Sequence, residues 1–255
     1  MLFDKKIIIE KNYIIYKNNK FHIGSKRGFK FLSELWLRSG WDVKHVYSFS
    51  WLGRPIIQLP EDIIRLQEVI YKLRPTLIIE TGVAHGGGLV FYANIMSSYC
   101  KPKIIGIDIE IRKHNLKEIK NHKYSKYITL IEGSSTDPKV INKVDKKVIK
   151  KDKVLIILDS NHTKKHVLDE LKIYSKYVSK DSYIIACDGI MKFLKNAPRT
   201  KKDWPKNNPV NAIKEFLKSN KSFKYDDPKF EFNESHLTEK HKITYWPMAY
   251  LKKFR

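Results

Sequence analysis

The sequence predicts an α/β fold built on a doubly wound, mostly parallel sheet. Five short apolar runs rich in β-branched residues alternate with helical patterns, and each of the runs closes on an acidic residue. The runs are Leu77 to Glu80, Ile104 to Asp108, Ile128 to Glu132, Val154 to Asp159, and Tyr183 to Asp188. Continuous rather than alternating apolarity suits strands covered on both faces, as in a parallel sheet.

The elements follow in chain order. Residues 1–50 are expected to form an accessory region: a β-like Ile7 to Tyr16, a helix carrying Phe31, Leu35 and Leu37, and an aromatic stretch from Tyr47 to Trp51. Residues 51–255 form the main domain. Pro60-Glu61-Asp62 opens a helix whose Ile63/Leu66/Ile70/Leu73 stripe faces the sheet. Helices are expected over Gly88 to Tyr99, His114 to Lys123, Pro138 to Lys150 and Thr163 to Tyr177, each between two runs. A Lys-rich loop from Met191 to Asn208 precedes a helix over Pro209 to Ser219. Phe223 to Phe232 and Ile243 to Phe254 read as two closing strands, an antiparallel hairpin on the sheet edge.

Composition narrows the function classes. A 42% hydrophobic content excludes a disordered chain. No apolar run approaches the roughly 18 residues of a membrane-spanning helix, and the amino terminus interleaves Ile and Tyr with Lys instead of building a leader, so a cytoplasmic protein is expected. Cys100 and Cys187 have no metal-ligand spacing and are read as reduced thiols. The net charge of +23 is spread along the chain and carried overwhelmingly by Lys. Nucleic-acid recognition favours clustered Arg, so nucleic acid is not the expected partner; peripheral contact with an acidic surface remains compatible with the charge. A homo-oligomer is equally compatible with the sequence.

The sharpest local signal is Glu80-Thr81-Gly82-Val83-Ala84-His85-Gly86-Gly87-Gly88, a Gly-rich turn between the first run and its helix. Its amides and the helix amino terminus suit a carboxylate or phosphate. The spacing E-x-G-x-x-x-G-G differs from the dinucleotide pattern, which argues against NAD. Asp108, ending the second run, can accept hydrogen bonds from both ribose hydroxyls, although it would also suit a solvated strand end. Ser134 and Ser135 supply small polar groups where an adenine could lie, or form an ordinary Ser-rich loop.

The E-x-G-x-x-x-G turn, the acid after the second strand and the closing hairpin together resemble class I S-adenosylmethionine-dependent methyltransferases, with their Rossmann-like sheet. A closer resemblance runs through Trp51-Leu52-Gly53-Arg54-Pro55-Ile56-Ile57-Gln58-Leu59-Pro60, Gln67-Glu68, Ile78-Ile79-Glu80-Thr81-Gly82, Gly106-Ile107-Asp108-Ile109 and Leu158-Asp159-Ser160-Asn161-His162 to His166-Val167-Leu168. Over about residues 45–252 the chain is similar to the cephalosporin hydroxylase family, which has the methyltransferase fold and is itself similar to metal-dependent sugar O-methyltransferases.

The resemblance implies a methyltransferase-like domain over 51–255, S-adenosylmethionine as cofactor, and a small-molecule or glycan acceptor. It assigns Glu80, Gly82, His85, Gly86 and Asp108 to the cofactor, and Asp159 with Cys187 and Asp188 to a divalent metal such as Mg²⁺. Asp159 is expected to act as ligand and base, Asp188 as ligand, and His162 as an alternative base. Cys187 stands where the family carries a Glu, and a thiol is a poor Mg²⁺ ligand, so donor binding is implied more firmly than metal dependence. Gly88 replaces the family's Ser near the donor carboxylate. The loop Lys195 to Asn208, with Arg199 and Trp204, is long enough to fold over the donor and shape the acceptor pocket, where Tyr47, Phe49 and Trp51 could stack on a sugar. Three other readings stand beside this one: a hydroxylase or hydroxylase partner in the literal sense, for which no His-x-Asp iron motif is found; a nucleic-acid-binding protein or nucleic-acid methyltransferase, suggested by charge alone; and a degenerate non-catalytic fold, which Cys187 makes credible.

Overall fold

The structure, a computed structural model, describes residues 5–255. A separate three-stranded antiparallel sheet comes first: β1 (Ile7–Glu10), β2 (Tyr13–Tyr16) and β3 (Asn19–His22). The single β-like run expected there is therefore a hairpin with a third strand. Lys17 and Asn18, both at positive φ, make the two-residue turn that matches strand twist. One face of this sheet buries Ile14 and Phe21 against Phe31 of helix α1 (Lys26–Asp42). The other end of α1 inserts Leu37 into the main core.

A two-stranded hairpin, β4 (Ser50–Trp51) and β5 (Arg54–Pro55), leads into α2 (Pro60–Leu73). Strand and helix then alternate: β6 (Leu77–Thr81), α3 (Gly87–Met96), β7 (Ile104–Asp108), α4 (Lys113–Asn121), β8 (Ile128–Glu132), α5 (Pro138–Asp145), β9 (Val154–Leu158), α6 (Lys164–Tyr174) and β10 (Tyr183–Ala186). After α7 (Pro209–Ser219) come β11 (Phe223–Tyr225) and β12 (Tyr250–Lys253). The seven-stranded sheet has the order β11-β12-β10-β9-β6-β7-β8, parallel from β10 to β8.

Alternate side chains of each central strand enter opposite layers. Ile78 packs among residues of α2 and α3, whereas its neighbours Leu77 and Ile79 pack with Val144, Leu171 and Phe216 from α5, α6 and α7. Both faces are apolar, which is why these strands read as unbroken runs. Among the described residues, no helix is long and apolar enough to cross a membrane.

Two expectations are corrected. The closing strands are shorter than predicted, and residues 226–249 run as irregular chain with one 3-10 turn, because Pro228, Asn233 and Pro247 interrupt the apolar pattern. The antiparallel pair itself stands on the sheet edge, as expected. β12 lies between β10 and β11 and is antiparallel to both, so it is an interior strand. The helix predicted over Pro138 to Lys150 ends at Asp145.

Leu251, fully buried in β12, therefore supports both neighbours. Leu251→Ala is expected to lower unfolding free energy by about 2–5 kcal/mol, against under about 0.5 kcal/mol for the partly exposed Lys252→Ala. Urea titration of both variants checks this; equal losses would contradict the interior placement.

Candidate active site

Sheet connections run from β6 towards β8 on one side and through β9 and β10 on the other, so the strand order reverses between β6 and β9. Ligands of doubly wound sheets bind at such a switch point. Here the chain passes from β6 into Gly82, whose φ of +91° is left-handed. A Cβ at this position would stand 2.0 Å from the Asp159 carbonyl oxygen, so only glycine fits. The Asp159 amide donates to the Thr81 carbonyl at 2.9 Å, and the Gly82 amide to the Ile107 carbonyl at 2.7 Å, tying the ends of β6, β7 and β9 together.

The turn is held from two sides. Asp108 Oδ2 accepts from the amides of Val83 (2.7 Å) and Ala84 (3.1 Å), while Oδ1 accepts from the Glu110 amide at 3.2 Å. The buried Arg54 guanidinium donates twice to the His85 carbonyl (3.0 and 2.6 Å) and once to Asn115 Oδ1 (3.1 Å); Asn115 Nδ2 donates to the Ala84 carbonyl at 3.0 Å. The first amides of the turn are thus occupied by Asp108, the nearest anion.

Beside the turn opens a cavity of about 500 Å³, within the range of small-molecule sites. Of the sequence-predicted donor residues, Gly82, Asp108, Ser134 and Ser135 line it together, as does Asp159. Glu80, His85, Gly86 and Gly88 lie outside its lining. Glu80 is 3% exposed and its Oε1 accepts from Tyr92 Oη at 2.6 Å. A Cβ on Gly88 would come within 2.8 Å of that same oxygen, so the missing side chain leaves room for the Glu80 carboxyl. Burial above all, with Asp108 nearby, pushes Glu80 up to about 8 against the relief given by Tyr92. His85 Nδ1 sits 3.3 Å from Asn115 Oδ1, and Gly86, at φ +81°, caps α3.

A second group adjoins the cavity. Ligand-type atoms of Asp159, His162 and Asp188 all lie within 4.8 Å of one another. His162 Nε2 is 3.5 Å from Asp188 Oδ2 and 3.9 Å from Asp159 Oδ1. Gln58 Nε2 donates to Asp159 Oδ2 at 2.6 Å and orients the carboxylate. Burial, then Asp188 and Glu80, hold Asp159 well above the usual carboxylate range. The two carboxylates at this spacing fit a divalent cation, with the His162 imidazole beside them. Cys187 is not one of the three: its side chain is buried in the main apolar core, and burial pushes its thiol up, away from the thiolate a metal requires.

Asp188 also borders a smaller cavity of about 80 Å³, with Trp41, Lys44, Tyr47, Arg199 and Tyr245. The loop expected to fold over the donor and shape the acceptor pocket is seated here, beside Asp188. Arg199 stacks on Trp41 and donates to its carbonyl, Trp41 Nε1 donates to the Pro198 carbonyl at 2.9 Å, and Trp204 packs edge-on against Trp41. Of the aromatic trio, Tyr47 borders this cavity, while Phe49 packs edge-on against His45 and Trp51 edge-on against Phe91.

A family model described as Rhamnosyl O-methyltransferase/CmcI matches residues 43–254. The chain belongs to this family. A rhamnosyl O-methyltransferase of Mycobacterium tuberculosis is 32% identical over 131 residues, 50% of this chain and 51% of the relative. The chain spans about half the length of the curated relatives it matches. An apo structure of CmcI superposes with a TM-score of 0.55 at 17% identity, covering 82% of this chain and 77% of CmcI. One of CmcI with Mg and SAM gives 0.54 at 17% identity over 82% and 78%. At such identities the likeness establishes a shared Rossmann-like fold.

Relative to this Rhamnosyl O-methyltransferase/CmcI frame, sequence reasoning missed the clamp formed by Arg54 and Asn115, the bond from Gln58 to Asp159, and the cavity-lining Ser160, Asn161 and His166. Arg54 and Gln58 stood in the motif as residues without a role. His166, Glu170 and Tyr174 do carry a signal, a polar i, i+4, i+8 stripe on an otherwise amphipathic helix.

The raised Glu80 sets a pH dependence. Its folded pKa of about 8 exceeds the unfolded 4.5, so the stability it contributes is complete below 4.5 and lost as pH rises through 8. Urea unfolding of the ligand-free protein is expected to show stability falling across that window. Glu80→Gln, which keeps an acceptor for Tyr92, should flatten the fall by an amount on the order of a few kcal/mol; an unchanged slope would contradict the assignment.

Proposed function

We propose that the chain is an S-adenosylmethionine-dependent O-methyltransferase acting on a hydroxyl of a sugar or related small molecule. The observation that carries this reading is the double position of Asp159, which lines the 500 Å³ cavity and also belongs to the group with His162 and Asp188. A donor site and a group able to orient a hydroxyl therefore share one residue. Family membership and the names of the matched relatives support a sugar as acceptor.

The donor supplies a methyl carbon on a positively charged sulfur. Asp108 accepts from ribose hydroxyls through lone pairs that the Val83, Ala84 and Glu110 amides leave free. A divalent cation held by Asp159 and Asp188 would supply positive charge beside the acceptor hydroxyl and lower its pKa. His162 takes the proton that the hydroxyl gives up as its oxygen bonds to the methyl carbon and the sulfur–carbon bond breaks. Trp41, Tyr47 and Arg199, on the Asp188 side, hold the acceptor. Gln58 keeps Asp159 turned towards the shared position.

Calorimetry with S-adenosylhomocysteine, with and without Mg²⁺, tests the donor site. Asp108→Ala is expected to weaken binding by about tenfold to a hundredfold, as for loss of hydrogen bonds to a charged acceptor. Absence of heat with the intact protein would overturn the reading. In a methyl-transfer assay on rhamnosides and other glycosides, His162→Ala should lower kcat by about 10²–10⁴ with nucleoside affinity preserved, whereas Asp188→Asn should abolish the response to Mg²⁺. Full turnover in either variant would remove that residue from the scheme.

A further inference from the structure

Four residues at one wall of the donor cavity form a network that the methyl-transfer scheme does not use. Ser135 Oγ and Ser160 Oγ both donate to Glu170 Oε1, at 2.6 and 2.7 Å. His166 Nε2 lies 3.1 Å from Ser135 Oγ, 3.3 Å from Ser160 Oγ and 3.3 Å from Glu170 Oε1. Ser135, Ser160 and His166 line the cavity; Glu170, 1% exposed, sits behind them. Two turns of α6 brace the arrangement, because the buried Tyr174 donates through Oη to the Ser135 carbonyl at 2.8 Å.

A hydroxyl carries one proton and two lone pairs. With both protons committed to Glu170 Oε1, neither serine has a donor left for a ligand, and each oxygen can only accept. Glu170 Oε2 is buried with no hydrogen-bond partner among the described residues. An acid buried with one oxygen unpaired costs free energy that a neutral side chain would avoid, so its presence calls for a role beyond packing.

Resting on the donor reading above, we propose that Glu170 is a specificity-determining positioning residue: by taking the protons of Ser135 and Ser160 it makes this wall accept hydrogen bonds, so that the site selects a base bearing an amino group, adenine, over its 6-oxo counterpart. A carbonyl at that position would meet two serine oxygens whose lone pairs repel it. In Glu170→Leu no acceptor remains behind the wall, and the protons of both serine hydroxyls are freed for a carbonyl.

The test compares S-adenosylhomocysteine with S-inosylhomocysteine, which differ in the 6-amino and 6-oxo groups, by calorimetry on the full chain. The intact protein is expected to prefer the amino form by at least about tenfold. Glu170→Leu should reduce that preference to under about threefold, and Ser135→Ala, which removes one acceptor and leaves the acid in place, should reduce it in the same direction. Equal affinities in the intact protein overturn this assignment alone, and need no variant to fold. A ratio unchanged in both variants overturns it as well. Binding of neither nucleoside overturns the donor reading and the assignment with it.

Discussion

The close approach of β6 to β9 is the constraint on which the site depends. Because no side chain fits between Gly82 and the Asp159 carbonyl, the two strand ends meet backbone to backbone, and the residues that follow them diverge to opposite sides of one crevice. Asp108 then reaches the turn from β7, and Arg54 and Asn115 close it from the other side. The turn's polar groups find protein partners, so the crevice keeps its shape from within.

Charge in the site runs against charge in the chain. The protein as a whole carries +23, yet Glu80, Asp108, Asp159, Asp188 and Glu170 converge at the carboxyl edge of the sheet. Glu80 and Asp159 are pushed up chiefly by burial and further by neighbouring carboxylates, so they favour the neutral form. In the proposed reading the carboxyls of Glu80 and Asp159 would return to the ionised state beside a cationic sulfur and a divalent metal. Ligand binding and proton release are then linked.

Much of this was legible from local pattern. The five central strands appear within a residue or two of their predicted ends because both faces of the sheet are covered and each run is apolar throughout. The pairing of Gly82 with Asp108 was legible because a strand end fixes where an acid lands. The network of Glu170 with Ser135 and Ser160 was not: its members come from the ends of two strands that are not neighbours in the sheet and from a helix. The resemblance put Cys187 in the metal set while its thiol chemistry argued against it; a place in a motif does not say which side of the backbone a side chain takes, and Cys187 turns into the core. At the amino terminus, exposed Ile8, Ile9 and Tyr13 blur the alternation that would have marked three strands.

The placement of β12 has a consequence for how the molecule is made. It follows both β10 and β11 in the chain yet stands between them. During vectorial synthesis the flank of β10 stays open, and β11 has no bonded neighbour, until residues 250–253 leave the ribosome. The half of the sheet that bears Gly82 and Asp108 can assemble earlier, so the nascent protein completes its donor-side crevice before the edge beside Asp188 is sealed.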